Sequence, residues 1–195
     1  MDTVTDERTD QDHDDPRPDQ VLARRAALGD RVAFAEIFDR YADHLFRYCL
    51  RMLDGDYAEA EDAVQEALAR AWLKLPTFRG ESSLRTWLFR LAINEATDRR
   101  RRRRPVPADN RLLEPRAAGH QQDPELTAIS EDLSEALGRA LSELPWRQRA
   151  AWLLREVEGL SYAEIADALD TTPTVVRGQL HRARGTLAVR LEQWR

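Results

Sequence analysis

The chain has 195 residues and a mass of 22.5 kDa, enough for one ordinary domain or two small ones. Hydrophobic residues make up 42% and charged residues 33%, a composition typical of soluble globular proteins, and the longest apolar runs are too short to span a membrane. The acidic start is unlike a signal peptide, a single cysteine excludes an internal disulfide, and four scattered histidines do not suggest a zinc site. We therefore expect neither export nor membrane insertion, and we predict no metal and no cofactor.

The net charge of −5 hides an uneven distribution along the chain. Residues 1–20 carry eight acids against two arginines, which leaves the remainder with a net charge of +1. The high total of arginines fits a coding bias, but their clustering is informative. Residues 99–104 are six consecutive arginines, and residues 172–190 contain four arginines and no acid. Two separated basic stretches fit a nucleic-acid binder with two contact surfaces.

The first helices are predicted after an acidic, proline-containing start. Residues 1–18 are poor in apolar side chains and predict a disordered tail. The pattern then predicts a short helix over residues 21–28 and a long helix from the cap Asp30 to about residue 53. Cys49 belongs to the apolar stripe of the long helix, which favours a packed thiol over a reactive one. The stripe consists of Phe34, Ile37, Phe38, Tyr41, Leu45, Tyr48, Cys49 and Met52.

Two further helices complete the first half. Apolar spacing predicts a helix over residues 57–75 that Pro76 stops, followed by a loop over residues 77–82. Ser82 or Ser83 can cap the next helix, which leads into the arginine run. A basic final turn is favoured by the helix dipole, with a merely solvated charged end as the alternative.

Composition changes after residue 104. Residues 105–128 contain four of the nine prolines and predict a linker. Helical spacing resumes near Leu126, and Pro145 opens another helix that runs to residue 157 and ends at Gly159. Because no stretch alternates with period two, we predict an all-α chain of two small helical domains joined by a flexible linker.

A helix-turn-helix is predicted near the end of the chain. Ser161 and Glu164 form a capping box for a short helix, and Thr172 caps a second helix with Pro173 in its first position. An ordinary helical hairpin is the alternative, but the second helix carries no acid, which favours entry into a DNA major groove. Its buried stripe is Val176, Leu180, Ala183 and Leu187, which leaves Arg177, Gly178, His181, Arg182 and Arg184 towards solvent.

The motifs resemble those of one protein family. Residues 144–166 and 180–184 resemble domain four of extracytoplasmic-function (ECF) sigma factors, and residues 60–67 and 78–88 resemble domain two. The resemblance covers about residues 20–104 and 130–192, in the family's order. It implies a sigma factor that binds core RNA polymerase and directs promoter recognition, DNA melting and transcription initiation, and that is not itself an enzyme.

The resemblance also implies a domain plan and two rival interpretations. The plan has an acidic tail (1–18), sigma domain two (19–104), a linker (105–128) that threads the polymerase channel in relatives, and sigma domain four (129–195). The first rival is a free-standing helix-turn-helix regulator that binds duplex DNA without polymerase. The second is an enzyme of nucleic-acid metabolism, for which the sequence offers no carboxylate cluster, phosphate loop or nucleophile with a base.

Site residues follow from the positions that match the family's motifs. Trp87 is expected in the domain core rather than at the DNA. The implied sites are Asp62, Gln65 and Glu66 for core polymerase; Phe78, Arg79, Leu91 and Asn94 for the minus-ten element, with Phe78, Leu91 and Asn94 forming a pocket for a flipped base; Arg99, Arg100, Arg103 and Arg184 for phosphates; and Arg177, Gly178, His181 and Arg182 for the minus-thirty-five element.

The implied partners are core RNA polymerase, through its β′ clamp helices and β flap, promoter DNA, and an anti-sigma factor. The implied location is cytoplasmic, on the nucleoid when active, with retention at the membrane by an anti-sigma partner as an alternative. The chain departs from the family at Thr174-Val175, where relatives usually have Gly-Thr, and at Gly178, where they have a small hydroxyl residue. An interior glycine costs about 1 kcal/mol of helix stability, so we expect it to serve a close approach to DNA.

Overall fold

A computed structural model describes residues 18–102 and 124–192. The described residues form helices and no strand, which confirms the all-α prediction. Within these two ranges, no helix combines the length and apolar character needed to cross a membrane. The helices are α1 (Asp19–Ala27), α2 (Arg31–Met52), α3 (Tyr57–Lys74), α4 (Leu84–Arg102), α5 (Pro124–Ser142), α6 (Trp146–Trp152), α7 (Tyr162–Ala168) and α8 (Pro173–Arg190).

The predicted caps begin the helices as expected. The Asp30 carboxylate accepts hydrogen bonds from the backbone N–H groups of Val32 at 3.0 Å and Ala33 at 3.1 Å. At α7 the capping box forms in both directions between Ser161 and Glu164. These side chains satisfy backbone donors that the first helical turn leaves without partners.

The N-terminal domain comprises α1–α4. Helix α3 packs between α2 and α4, and α1 packs against α2. The core includes Cys49, which is fully buried as predicted. Phe38 corrects the predicted apolar stripe, because it is 45% exposed while its neighbour Ile37 is fully buried. The apolar spacing of three and four residues therefore included one residue, Phe38, that lies outside the core.

The C-terminal domain comprises α5–α8. Helices α6 and α7 pack against α8, whose buried residues are the predicted Val176, Leu180, Ala183 and Leu187. A π-helical turn over Leu153–Val157 continues α6, where the sequence predicted a regular helix. Helix α5 begins at Pro124, inside the segment 105–128 expected to be a linker. Most of that segment, like the predicted acidic tail up to residue 17, lies outside the described residues.

The two domains pack against each other. Helix α7 lies on α4, while α5 and α6 contact α2. We call this contact the domain interface. Arg149 of α6 is 3% exposed and donates to the Asp54 carboxylate at 2.6 Å and to the Arg51 carbonyl at 3.2 Å. Glu158, which is 4% exposed, accepts from Arg85 at 2.9 Å and lies 3.0 Å from His44 Nδ1.

Candidate nucleic-acid and protein interfaces

Helix α8 presents a cationic surface. Thr172 caps it by accepting from the Val175 N–H at 3.4 Å. Because one side of the helix is buried, Arg177, His181 and Arg182 point to solvent together. The Arg177 guanidinium lies 6.0 Å from the centre of the Tyr162 ring of α7, a cation–π contact. An exposed basic helix following a short helix has the geometry of a major-groove reader.

Gly178 lies on the same helix. A Cβ added there would meet the Arg182 guanidinium at 3.6 Å, an ordinary van der Waals distance. Packing within the chain therefore does not require a glycine at this position.

Arg184 is already paired within the domain. Its Nη2 and Nε donate to the Glu156 carboxylate at 2.6 and 3.1 Å. The hydrogen bond to Glu156 raises the pKa of Arg184 above its usual value. A DNA phosphate that binds the Nε and Nη2 side of Arg184 must compete with Glu156.

A cavity of about 170 Å³ lies between the loop after α3 and the start of α4. Two aromatic rings line it, Phe78 and Trp87, with centres 4.9 Å apart. Arg79 and Arg90 add two cations, and Thr77, Glu81 and Ser82 complete the lining. Trp87 is half-buried: it packs against the core, as the sequence predicted, and it also lines the cavity. Half-buried aromatic rings that line a cavity beside cations are suited to an unstacked nucleotide.

The cavity lining includes Phe78 but neither Leu91 nor Asn94 of the expected base pocket. Leu91 is 7% exposed because it lies on the core face of α4, and Asn94 is exposed away from the cavity lining. Arg90 lines the cavity instead, although the sequence had not singled it out. Its signal was its position between Trp87 and Asn94 on a helix already matched to DNA binding.

The arginine run is less available than expected. Arg99 is held by Glu59 at 2.9 Å and Asp62 at 3.4 Å, so its side chain links α4 to α3. Arg100 is half-buried, and Arg103 lies outside the described residues. Arg101 is exposed, 3.8 Å from Asp98. The run finishes α4 as predicted, but Arg99 serves the fold of the domain in this arrangement.

Helix α3 exposes an acidic surface. Asp62, Gln65 and Glu66 are all exposed on it. Arg99 partly neutralises Asp62, and Arg70 lies 3.2 Å from Glu66. Side chains that are exposed and only partly paired can exchange these weak contacts for those of a basic partner.

An apolar groove of about 310 Å³ lies on the C-terminal domain between α5, α6 and α8. Leu133 is 40% exposed in it. Exposed apolar grooves of this kind mark protein contacts. The apolar lining is Leu133, Leu137, Trp152, Leu187, Ala188 and Leu191.

Both halves of the chain match known sequence families. Residues 37–106 match Sigma-70 region 2, and residues 134–187 match Sigma-70, region 4. The ECF RNA polymerase sigma-E factor of Escherichia coli (strain K12) is 36% identical over 174 residues, covering 85% of this chain and 90% of that protein. The ECF RNA polymerase sigma factor SigW of Bacillus subtilis (strain 168) is 33% identical over 180 residues, covering 86% and 94%.

Solved structures share the fold of both domains. CnrH, solved in complex with the cytosolic domain of CnrY, superposes with a TM-score of 0.69 at 26% identity, covering 92% of this chain and 99% of that chain. The sigma factor RpoE of Bartonella quintana, solved in complex with the anti-sigma factor NepR, gives 0.67 at 25% identity, covering 82% and 96%.

Proposed function

Because the chain belongs to the ECF RNA polymerase sigma factors, which bind core RNA polymerase and direct promoter-specific initiation, we propose how its surfaces divide these tasks. The observation that carries the proposal is the separation of charge: α3 exposes carboxylates, and α8 exposes cations without a single acid. An acidic surface suits a basic protein, and a cationic helix suits DNA. A free-standing regulator is not favoured, because it would leave the region 2 match unused.

Helix α3 provides the first of two contacts with core polymerase. Asp62, Gln65 and Glu66 form the contact with the basic β′ clamp helices, and their exposure lets a partner approach without unfolding the domain. Complementary charges speed and orient such an encounter. The apolar groove on the C-terminal domain is the second contact, with the β flap as its occupant.

The minus-ten element is opened at the loop cavity. Phe78 and Trp87 offer rings on which a flipped base can stack, and stacking offsets the few kcal/mol that flipping costs. Arg79 binds the strand that carries that base. Asn94 remains a candidate contact on the exposed side of α4, whereas Leu91 needs a rearrangement to reach DNA.

The minus-thirty-five element is read by α8. Arg177, His181 and Arg182 contact base edges, Gly178 allows the backbone to approach them, and Arg184 binds phosphate once it leaves Glu156. Arg100, Arg101 and Arg103 bind phosphates near the minus-ten element. The chain carries out no chemistry itself, because nucleotide addition belongs to polymerase.

Cellular control follows from the same surfaces. RpoE of Bartonella quintana was solved with an anti-sigma factor, and we expect a partner of that kind for this chain. Such a partner would keep polymerase away by covering α3 or the apolar groove. The chain acts in the cytoplasm, where polymerase and promoter DNA are, and an anti-sigma partner can hold it at a membrane.

Run-off transcription tests the proposal. The full chain with core polymerase on a genomic fragment library should yield transcripts that share one promoter motif. Asp62→Arg and Glu66→Arg should weaken core binding by about 10- to 100-fold, whereas Glu135→Arg, an equal charge reversal on α5, should not. Absence of specific transcripts, or equal core binding by all these variants, would contradict the proposal.

A further inference from the structure

Arg90 connects the minus-ten cavity to the helix-turn-helix. It lines the cavity beside Phe78 and Arg79, yet its guanidinium points at α7 of the other domain. Nε and Nη2 donate to the Asp167 carbonyl at 3.0 and 2.8 Å, and Nη2 also pairs with the Asp167 carboxylate. The Arg90 side chain therefore lines the cavity proposed for a nucleotide and also forms part of the domain interface.

Asp167 resembles a phosphate in what it offers Arg90. A guanidinium binds carboxylates and phosphates through the same planar arrangement of donors. The second carboxylate oxygen of Asp167, Oδ2, is buried and has no hydrogen-bond partner among the described residues. The side chains of Arg90 and Asp167 are 37% and 39% exposed, so the ion pair contributes little to stability and can be exchanged for another partner.

We propose that Arg90 is a minus-ten DNA-binding residue that grips a backbone phosphate of the unstacked strand, and that Asp167 occupies it as an internal substitute while the domains are packed together. The inference rests on the proposed function, because it assumes that the cavity receives a promoter base. A strand whose base stacks on Phe78 or Trp87 must carry its phosphate along the rim where Arg79 and Arg90 lie.

The same contact sets packing of the two domains against minus-ten DNA binding at the cavity. Helix α7 is the first helix of the helix-turn-helix, and it lies on α4 beside the cavity. While α7 lies there, Asp167 occupies the Nε and Nη2 donors of Arg90, so a phosphate can take these donors only when α7 moves away. Release of Asp167 thus couples separation of the domains to readiness for promoter melting.

Replacing either partner breaks this ion pair, and the two replacements should have opposite effects on the affinity for minus-ten DNA. Asp167→Asn removes the competitor and should raise the affinity of the free full-length chain for the labelled non-template minus-ten oligonucleotide about threefold to tenfold. The gain is limited because the Asp167 backbone carbonyl still accepts from Arg90. Arg90→Ala should lower that affinity about tenfold, and Arg90→Lys should lie between, since it keeps the charge but loses the fork.

The readouts are fluorescence anisotropy with that oligonucleotide and permanganate footprinting of the holoenzyme. Arg139→Ala on α5 is the matched control for losing one exposed cation and should change neither readout. Circular dichroism checks that the variants fold. The double variant should behave like Arg90→Ala. If both single variants raise the affinity, or neither changes it while the wild type still drives promoter-specific transcription, this inference is wrong and the proposed function stands.

Discussion

The domain interiors and the domain interface differ in the charged groups that they bury. Inside the domains, the largest fully buried side chains are aliphatic or aromatic, such as Phe89 in one domain and Leu154 in the other. Among the described residues, the buried charged side chains are Glu95, Arg149 and Glu158, and the last two bridge the domains. The domain interface thus combines these charged groups with apolar side chains, since one apolar cluster runs through both domains.

The difference explains how the molecule can open without unfolding. Apolar side chains lose their packing and gain nothing when they meet water. Arg149, Glu158 and Arg90 exchange their partners for water or for phosphate at a much smaller cost, as contacts between domains commonly do. We therefore expect the interiors to persist and the domain interface to be replaced by contacts with polymerase and DNA.

The largest expected effect is in an interior. Phe89 is fully buried and meets Tyr48 edge to face, with ring centres 5.5 Å apart. Phe89→Ala should cost about 3–5 kcal/mol in the free energy of unfolding, measured by urea denaturation. Phe38→Ala, at an exposed aromatic on the same domain, should cost less than about 1 kcal/mol. Equal losses at the two positions would contradict the assignment of the core.

A smaller effect is expected at the domain interface. Glu158→Gln weakens the links to Arg85 and His44 and should cost about 1–2 kcal/mol, because the domains can separate instead of keeping a damaged contact. Small-angle scattering should show a larger radius of gyration, with the helix content unchanged. The control Glu156→Gln breaks an ion pair within the C-terminal domain and should leave the radius as it is. An unchanged radius for Glu158→Gln would mean that apolar contacts dominate the interface.

Gly178 lies on α8, outside both the domain interiors and the domain interface. Since a Cβ fits there, Gly178→Ala should stabilise the chain by about 1 kcal/mol. It should also weaken minus-thirty-five binding by the holoenzyme, if the glycine serves the approach of DNA. Gly138→Ala on α5 has open space and should give the stability without the loss of binding. Full promoter affinity in Gly178→Ala would remove the reason proposed for this glycine.

The smallest effect concerns the cap of α7. Hydrogen bonds from Ser161 lower the pKa of Glu164 below its usual 4.5. The bond from the Ser161 backbone N–H has the larger effect, and the bond from its hydroxyl has the smaller one. The carboxylate therefore adds stability at neutral pH, and this contribution disappears as the pH falls through the lowered pKa. Glu164→Gln should cost about 0.3 kcal/mol near pH 6, and the difference from wild type should vanish near pH 3. A difference independent of pH would show that charge is irrelevant to this cap.

Local signals predicted the helices and the caps, because both depend on neighbouring residues. Asp30, Ser161 and Thr172 each cap a helix by bonding to an N–H within three positions, which the sequence displays directly. The π-helical turn over Leu153–Val157 carries no such signal. It has the residues of a regular helix, and only packing in the domain distinguishes it.

The domain interface could not be predicted, because its partners lie far apart in the chain. Arg149 meets Asp54, and Glu158 meets Arg85, across the whole linker. The sequence did contain one signal of burial. Arg149 lies four positions before the buried Leu153, and Glu158 lies four positions after the buried Leu154. A charge at a buried position requires a partner, but the sequence does not say which.

The most direct test measures the distance between the domains with and without core polymerase. Cysteines replacing the exposed Gln20 and Thr186 would carry fluorophores, and native Cys49 would stay unlabelled because burial raises the pKa of its thiol to about 12. The free chain should show one population with high energy transfer. Core polymerase should move the two domains to a separation of about 60 Å. Promoter elements nearly two helical turns apart are this far from each other, because one turn of DNA is about 35 Å long. The same high transfer in a transcribing holoenzyme would contradict the account.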